Sequence, residues 1–362
     1  MLDFLILSLV KFSLFESMLG IFIALMLFFI TIKSWSSKTK IFKSFIYHGE
    51  QRVHLGEVPR LGGLVIYFCL VFFTFILNYE SEKIILICMI PMVTVILAED
   101  ITHNVDYKIR LISLFLSSIL LIIFGNTSLP KVEGIFIISS FFENRMFSFI
   151  FFTFCLLALA NGFNFIDGMN GLLSFYIIGA LVSCAQLCYI TNDFLLLKPI
   201  IIYFVLIILF IIFNFPMGKI FLGDLGAYLM ALLLGIWVIN FFGKYDYISS
   251  WNAVLIFFYP ICEVTYSIIR KLAQKKSPFL PDRNHLHLKI FDILNTSLNK
   301  PRLCNNLTTI FIAIFWLSPP LIMLWVFDKQ ILIISSFLIM AIIYIIVNNV
   351  IPSYDYIKKS KN

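Results

Sequence analysis

The feature that most constrains this chain is a series of long, unbroken apolar runs. Eleven of them are of membrane-spanning size, at about 14–33, 61–79, 83–98, 109–125, 146–161, 172–190, 194–213, 224–242, 249–270, 308–327 and 329–351. A helix needs about 20 apolar residues to cross the hydrocarbon layer, where every backbone polar group must be satisfied within the protein. The runs are continuous rather than alternating, which argues against barrel strands. Composition sets the same limit, with 61% hydrophobic and 13% charged residues and 41 Phe among 362 positions. One water-soluble core could not hide so much apolar surface. The expected fold is therefore all-α, a polytopic transmembrane helical bundle of 10–11 spans. Residues 1–362 form a single integral membrane domain, with loops at about 34–60, 99–110, 161–171, 214–224 and 271–306.

The distribution of basic residues orients this bundle. With eleven spans, one set of loops holds 20 of the 27 Lys and Arg and the other holds 7. The richer side is expected to be cytoplasmic, with the N-terminus outside and the C-terminus inside. The N-terminus carries Asp3 and no basic stretch before the first run, so it reads as an uncleaved span rather than a leader. The location of the positive charges matters more than their sum of +7, and no basic stripe interleaved with aromatics points to nucleic acid. Seven Cys are present without a CxxC. Six lie in apolar runs and Cys304 in a polar loop, as expected of small packing residues rather than a metal or redox pair.

Five polar clusters interrupt the runs, all on the side read as cytoplasmic. They are Glu57, Arg60, Gly62 and Gly63; Glu99, Asp100, His103 and Asp106; Asn161, Asn164, Asp167, Asn170 and Gly171; Asn214, Lys219, Gly223 and Asp224; and Asp282, Arg283, His285 and His287. Taken alone, each could be a turn, a helix cap or an interfacial anchor. Together they supply hard oxygen ligands beside cations. That chemistry suits Mg²⁺, which is held by one or two carboxylates plus substrate phosphates, and phosphate oxygens, which Lys and Arg bind. Asp224 sits where a helix begins, an end that favours anions. The glycines next to Asp167 and Asp224 allow close backbone approach to a ligand. Glu263 lies inside an apolar run, where a carboxylate costs about 2.5–3.5 kcal/mol to insert. It is expected to support the floor of the site.

The clusters resemble, in order, those of the bacterial polyprenyl-phosphate sugar-1-phosphate transferases, glycosyltransferase family 4. The matching segments are PRLGG at 59–63, AEDITHNVDYKIRL at 98–111, NGFNFIDGMNGL at 161–172, FNFPMGKIFLGDLGAYL at 213–229 and PDRNHLHL at 281–288. The resemblance implies transfer of an N-acetylhexosamine 1-phosphate from a UDP-sugar to undecaprenyl phosphate, with release of UMP. The lipid diphosphate sugar would start O-antigen, capsule or a related surface polysaccharide. It implies Mg²⁺, with Mn²⁺ as a substitute, and a multi-pass location in the bacterial inner membrane.

Residue by residue, the resemblance makes Asp224, Asn164 and Asp167 metal ligands. Glu99, Asp100, Asp167, His285 and His287 become catalytic residues. Arg60, Asn161, Asn170, Asn214, Lys219 and Arg283 become substrate contacts, with Glu263 in support. Four positions depart from the family pattern. Glu99 stands for a usual Asp, Asn170 for a frequent Asp, Ala227 for a common Ser, and Leu288 where a further His is often found. Membrane lipid is an expected partner, nucleic acid is not, and a homodimer fits. A transporter or lipid flippase, or an inactive relative, are the competing readings. A transporter would place ionisable groups near the bilayer midplane.

Overall fold

The computed structural model describes residues 20, 22–31, 58–102, 104–125, 127–132, 136–277 and 282–352. The expected loop 34–57 with Glu57, and also His103 and Pro281, lie outside the described residues. Among the described residues the regular structure is helical, without strands. In chain order the helices are α1 (Phe22–Thr31), α2 (Gly62–Ile76), α3 (Glu80–Cys88), α4 (Ile90–Thr102), α5 (Tyr107–Phe124), α6 (Phe136–Phe142), α7 (Arg145–Ile166), α8 (Leu172–Ile190) and α9 (Phe194–Asn214). They continue as α10 (Gly223–Lys244), α11 (Asn252–Ile256), α12 (Phe258–Ala273), α13 (Leu286–Leu298), α14 (Pro301–Phe311), α15 (Ala313–Trp316), α16 (Ser318–Val326) and α17 (Gln330–Val350).

Six of these (α5, α7, α8, α9, α10 and α17) are long and apolar enough to cross a membrane. The number rises to eight if two bent units each form one span, namely α3 with α4 (50° bend) and α14 with the stretch Ala313–Val326 (45°). Each of the eleven apolar runs meets a helix, but eleven full spans are not reached. The first run is only partly described, α2 has 15 residues, and run 249–270 is divided between α11 and α12.

Helix α10 is the axis of the bundle, with 94% of its apolar window buried. Its small residues explain how. A Cβ at Gly235 would come 2.5 Å from Leu156 of α7. A Cβ at Gly63 of α2 would come 2.2 Å from the Gly226 amide nitrogen of α10. Gly162 of α7 also lies close on α12, where a Cβ would meet Pro260 at 2.8 Å. In lipid, where apolar surface alone does not drive association, such close approach is what holds helices together. At the other extreme α17 buries only 17% of its window and exposes Ile331, Leu338, Ile342 and Ile346, as a lipid-facing helix does.

One end of the bundle is knotted by backbone pairing. The Phe221 N–H donates to the Pro59 carbonyl at 2.9 Å, Gly62 N–H to Phe221 at 2.9 Å and Gly63 N–H to Leu222 at 2.8 Å. The first amides of a helix have no partner within it, and here the segment leading into α10 supplies two. Gly223 has φ +77°, and a Cβ there would meet the Arg60 carbonyl at 2.9 Å. The PRLGG and FLGD motifs thus dock on each other.

Several expected loops prove helical. α4 continues through Glu99 and Asp100 to Thr102, and α7 through Asn161 and Asn164 to Ile166. The expected loop 271–306 contains α13 and the start of α14. Polar residues at a helix end weaken the apolar pattern without breaking the helix, so the run ends earlier in sequence than in structure. Cys304 is fully buried in α14 rather than in a polar loop. The seven cysteines are unpaired.

Candidate active site

The ends of α4, α5, α7 and α10 and the start of α2 meet at the knotted end. Arg60 lies at the centre. Its guanidinium donates to Asp224 Oδ1 at 2.5 Å and stands 4.0 Å from Asp100 Oδ1. Arg110, in the first turn of α5, lies 3.6 Å from Asp224 Oδ2 and 3.9 Å from Glu99 Oε1. Asp100 accepts the Leu225 backbone N–H and Asp167 that of Gly223, so both carboxylates cap the start of α10 beside Asp224. A helix N-terminus stabilises negative charge, which is one reason these groups converge there.

Electrostatics at this point are unbalanced. Glu99, Asp100, Asp167 and Asp224 face Arg60 and Arg110, leaving two formal negative charges if all ionise. Burial opposes the charge on Arg60, yet Asp224, Asp100 and Asp167 together hold its pKa above the ordinary value. Burial pushes the Asp167 carboxyl up to about 8. Asp224 and Asp100 add to that, while Arg60 and the Gly223 amide oppose it. Among the described residues no three His, Cys, Asp or Glu side chains form a metal site on their own. The donor set is nevertheless hard oxygen beside two cations, which fits a Mg²⁺ ion completed by water and phosphate.

The histidines flank this cluster. His285 precedes α13 and His287 lies in its first turn, with their rings stacked at 5.8 Å. His285 Nδ1 lies 3.1 Å from Glu263 Oε2, and Glu263 Oε1 accepts the Leu286 N–H at 3.3 Å and the Tyr259 hydroxyl at 3.2 Å. Glu263 is 1% exposed and fixes the start of α13 from below. His287 packs on the turn that carries Asp167: a Cβ at Gly168 would stand 2.8 Å from its Nε2. Burial, aided by His285 and opposed by Glu263, lowers the His287 pKa to about 4, so the ring is neutral at pH 7. Gly168 and Gly223 therefore make room for the protein's own groups, His287 and Arg60, rather than for a ligand.

The remaining sequence candidates are engaged with the protein. Asn161 donates to the Leu157 carbonyl one turn back. Asn214 accepts the Gly171 N–H and donates to Ile220. Asn170 is bound to α14 and Pro216. Arg283 makes a two-pronged pair with Asp292 at 2.8 and 3.1 Å. Asn164 shares a hydrogen bond with Tyr228 of α10. Lys219 is exposed instead. Sequence reasoning assigned no role to Arg110, although a cation in the first turn of a helix opposes the macrodipole and so signals an anionic partner.

Fold and site define an integral membrane protein whose carboxylates and cations meet at one end of an apolar bundle. Residues 83–242 match the profile of Glycosyl transferase family 4. The chain is 28% identical over 238 residues to the undecaprenyl-phosphate alpha-N-acetylglucosaminyl 1-phosphate transferase of Thermotoga maritima, covering 66% of this chain and 69% of that protein. It is 29% identical over 252 residues to the Escherichia coli O157:H7 protein of the same name, covering 65% of each. A probable undecaprenyl-phosphate N-acetylglucosaminyl 1-phosphate transferase of Bacillus subtilis is 22% identical over 247 residues, 66% of this chain and 67% of that one. The matches span about two thirds of the length of these curated relatives. These matches agree with the resemblance read from the motifs: the chain is similar to Glycosyl transferase family 4 over residues 83–242, and to relatives named as polyprenyl-phosphate sugar-1-phosphate transferases.

Proposed function

We propose that this protein transfers an N-acetylhexosamine 1-phosphate from a UDP-sugar to undecaprenyl phosphate at the cytoplasmic face of a bacterial inner membrane. An oxygen of the lipid phosphate forms a bond to the sugar-bearing phosphorus. The bond from that phosphorus to the bridging oxygen breaks, and UMP leaves with the oxygen. The product is a lipid diphosphate sugar, a starting unit for surface polysaccharide. The observation that carries this reading is the meeting of Asp100, Asp167 and Asp224, from three separate helices, around Arg60 at one end of the bundle.

Each group has a task in this reading. Arg60 and Arg110 hold the carboxylates apart from one another and offset phosphate charge as the two anionic substrates approach. Glu99 and Asp100, on the last turn of α4, orient or deprotonate the lipid phosphate. His287, neutral and fixed against Gly168, and His285, fixed by Glu263, border the diphosphate. Lys219, which is exposed, meets the incoming nucleotide sugar. Mg²⁺, or Mn²⁺ in its place, would be held by Asp224, Asp167 and Asn164 and would supply charge neutralisation for the phosphates and the departing UMP.

The test is an exchange assay. Purified protein in lipid would receive undecaprenyl phosphate, Mg²⁺ and a panel of radiolabelled UDP-N-acetylhexosamines. Divalent-ion-dependent appearance of label in lipid, matched by UMP, is expected for one or more sugars. No transfer with any of them overturns the reading. A cysteine placed at Lys275 should be labelled only from the cytoplasmic side, and labelling from outside would invert the orientation.

A further inference from the structure

The turn that carries Asp167 is gripped by two helices that come more than a hundred residues later. α13 and α14 pack together as a hairpin. At one end of the turn His287 lies against Gly168. At the other, α14 holds Asn170. The Asn170 N–H donates to Asn305 Oδ1 at 2.8 Å, and its carbonyl accepts the Thr309 hydroxyl at 2.9 Å. Asn170 Nδ2 donates to Asn306 Oδ1 at 3.2 Å and, at 3.4 Å, to the Pro216 carbonyl. Asn306 Nδ2 also donates to Pro216, at 3.0 Å. Asn170, Asn305 and Thr309 are each at most 2% exposed.

One helix therefore satisfies both backbone groups and the side-chain donor of a single residue three positions after Asp167. The direction of the amides is determined. A proline carbonyl can only accept, so Asn306 must turn its nitrogen to Pro216 and its oxygen to Asn170, which must answer with a donor. The brace runs further. Asn214 accepts the Gly171 N–H at 2.7 Å and donates at 2.8 Å to Ile220, four residues before Asp224. The Asp167 turn is thus tied on one side to α14 and on the other to the approach to α10.

We propose that Asn305, Asn306 and Thr309 are positioning residues that hold the 167–170 turn in register with Asp224, and that Asn170 is what they hold rather than a substrate ligand. The kinetic consequence rests on the transferase reading, whereas the mechanical one does not. A carboxylate at 170 would face two acceptors, so Asn170→Asp disrupts the brace, while a residue that merely met a cation or a donor on the substrate would tolerate the change.

The experiment uses the full chain in nanodiscs, with hydrogen exchange and transfer kinetics measured on the same preparations. In Asn305→Ala and Asn170→Asp, exchange of the amides at 168–171 should rise at least about tenfold, with the α10 core around 230–236 unchanged. Turnover should fall roughly 10–100-fold with KM for the UDP-sugar within about twofold. Thr309→Ser, which keeps the hydroxyl, should match the wild type. If Asn305→Ala does not fold, Asn306→Ala, which removes a bond at the exposed edge, should shift exchange in the same direction. Unchanged exchange at 168–171 in these variants overturns the proposal, as does an Asn170→Asp enzyme with raised KM and full turnover. If the wild type transfers no sugar but exchange responds as described, the brace stands and the transferase reading falls. If the wild type transfers sugar and exchange does not respond, the brace alone falls.

Discussion

Gly63→Ala should loosen the whole knotted end of the bundle. The added carbon would stand 2.2 Å from the Gly226 amide nitrogen, 2.4 Å from its Cα and 3.0 Å from the Leu222 carbonyl oxygen. These are backbone atoms and cannot rotate away as a side-chain tip does. Ordinary contact begins near 3.4 Å, so α2 and α10 must part by about 1.2 Å at their crossing. The same movement stretches the 2.8 Å bond from Gly63 N–H to Leu222 toward ~4 Å, outside hydrogen-bonding range. Overpacking of this kind costs about 1–3 kcal/mol and a lost hydrogen bond about 1 kcal/mol, for a sum of about 2–4 kcal/mol. Arg60 and Asp224 are carried by these two segments, and a displacement of ~1 Å at a reacting centre can cost about 100-fold in rate. The assay is thermal unfolding of the purified protein followed by tryptophan fluorescence, paired with transfer kinetics. Gly179→Ala serves as the control, because its added carbon meets nothing closer than Pro320 at 3.6 Å, and it should be near neutral. A Gly63→Ala protein that melts and turns over like the wild type would refute the crossing and the explanation of the PRLGG motif built on it.

Other perturbations follow from the same geometry. Asp224→Asn should abolish most divalent-ion-dependent transfer while leaving a folded membrane protein, checked by elution profile and turnover. Glu263→Gln replaces one of the oxygens that bind His285, Leu286 and Tyr259 with a donor. It should cost about 1–3 kcal/mol, read as a lower melting temperature, and lower turnover further by releasing His285. Glu82→Gln leaves a single acceptor for the Tyr203 hydroxyl at 2.5 Å and the Trp237 ring N–H at 3.2 Å. It should lower stability by about 1–3 kcal/mol with KM unchanged, because Trp237 lies 13 residues of helix, about 20 Å, beyond Asp224. His287 has a folded pKa of about 4, below its ordinary 6.5, so the unfolded chain binds the extra proton first. Its contribution to stability is complete above pH 6.5 and is lost as pH falls toward 4. The pH dependence of melting in that window should flatten in His287→Gln.

The sequence made the bundle legible because lipid demands long apolar helices, and it made the carboxylates legible because Asp100, Asp167 and Asp224 each stand beside glycine or at the end of a run. What it hid were partnerships. Asn170 reads as a ligand by position, yet its hydrogen bonds go to residues more than 130 positions away. Arg283 reads as a phosphate contact until Asp292 is seen to occupy it. Glu82 stands just outside the apolar run at 83–98 and drew no role from the sequence, yet the fold buries it between Tyr203 and Trp237. Helix ends were also hidden. Asn161, Asn164, Glu99 and Asp100 weaken hydropathy where backbone hydrogen bonding continues, so α4 and α7 extend past the point where their apolar character stops.

The buried position of α10 has a consequence for biogenesis. Arg60 and Asp224 are 164 residues apart in the chain, and His287 follows Asp224 by another 63. A nascent chain halted after α10 owns Glu99, Asp100, Asp167 and Asp224 but lacks Glu263, His285, His287 and the hairpin that seats the 167–170 turn. α10 must slide between helices that precede it in the chain, and the later hairpin then packs on the 167–170 turn. Chains that stop before α13 therefore lack the parts that seat the 167–170 turn.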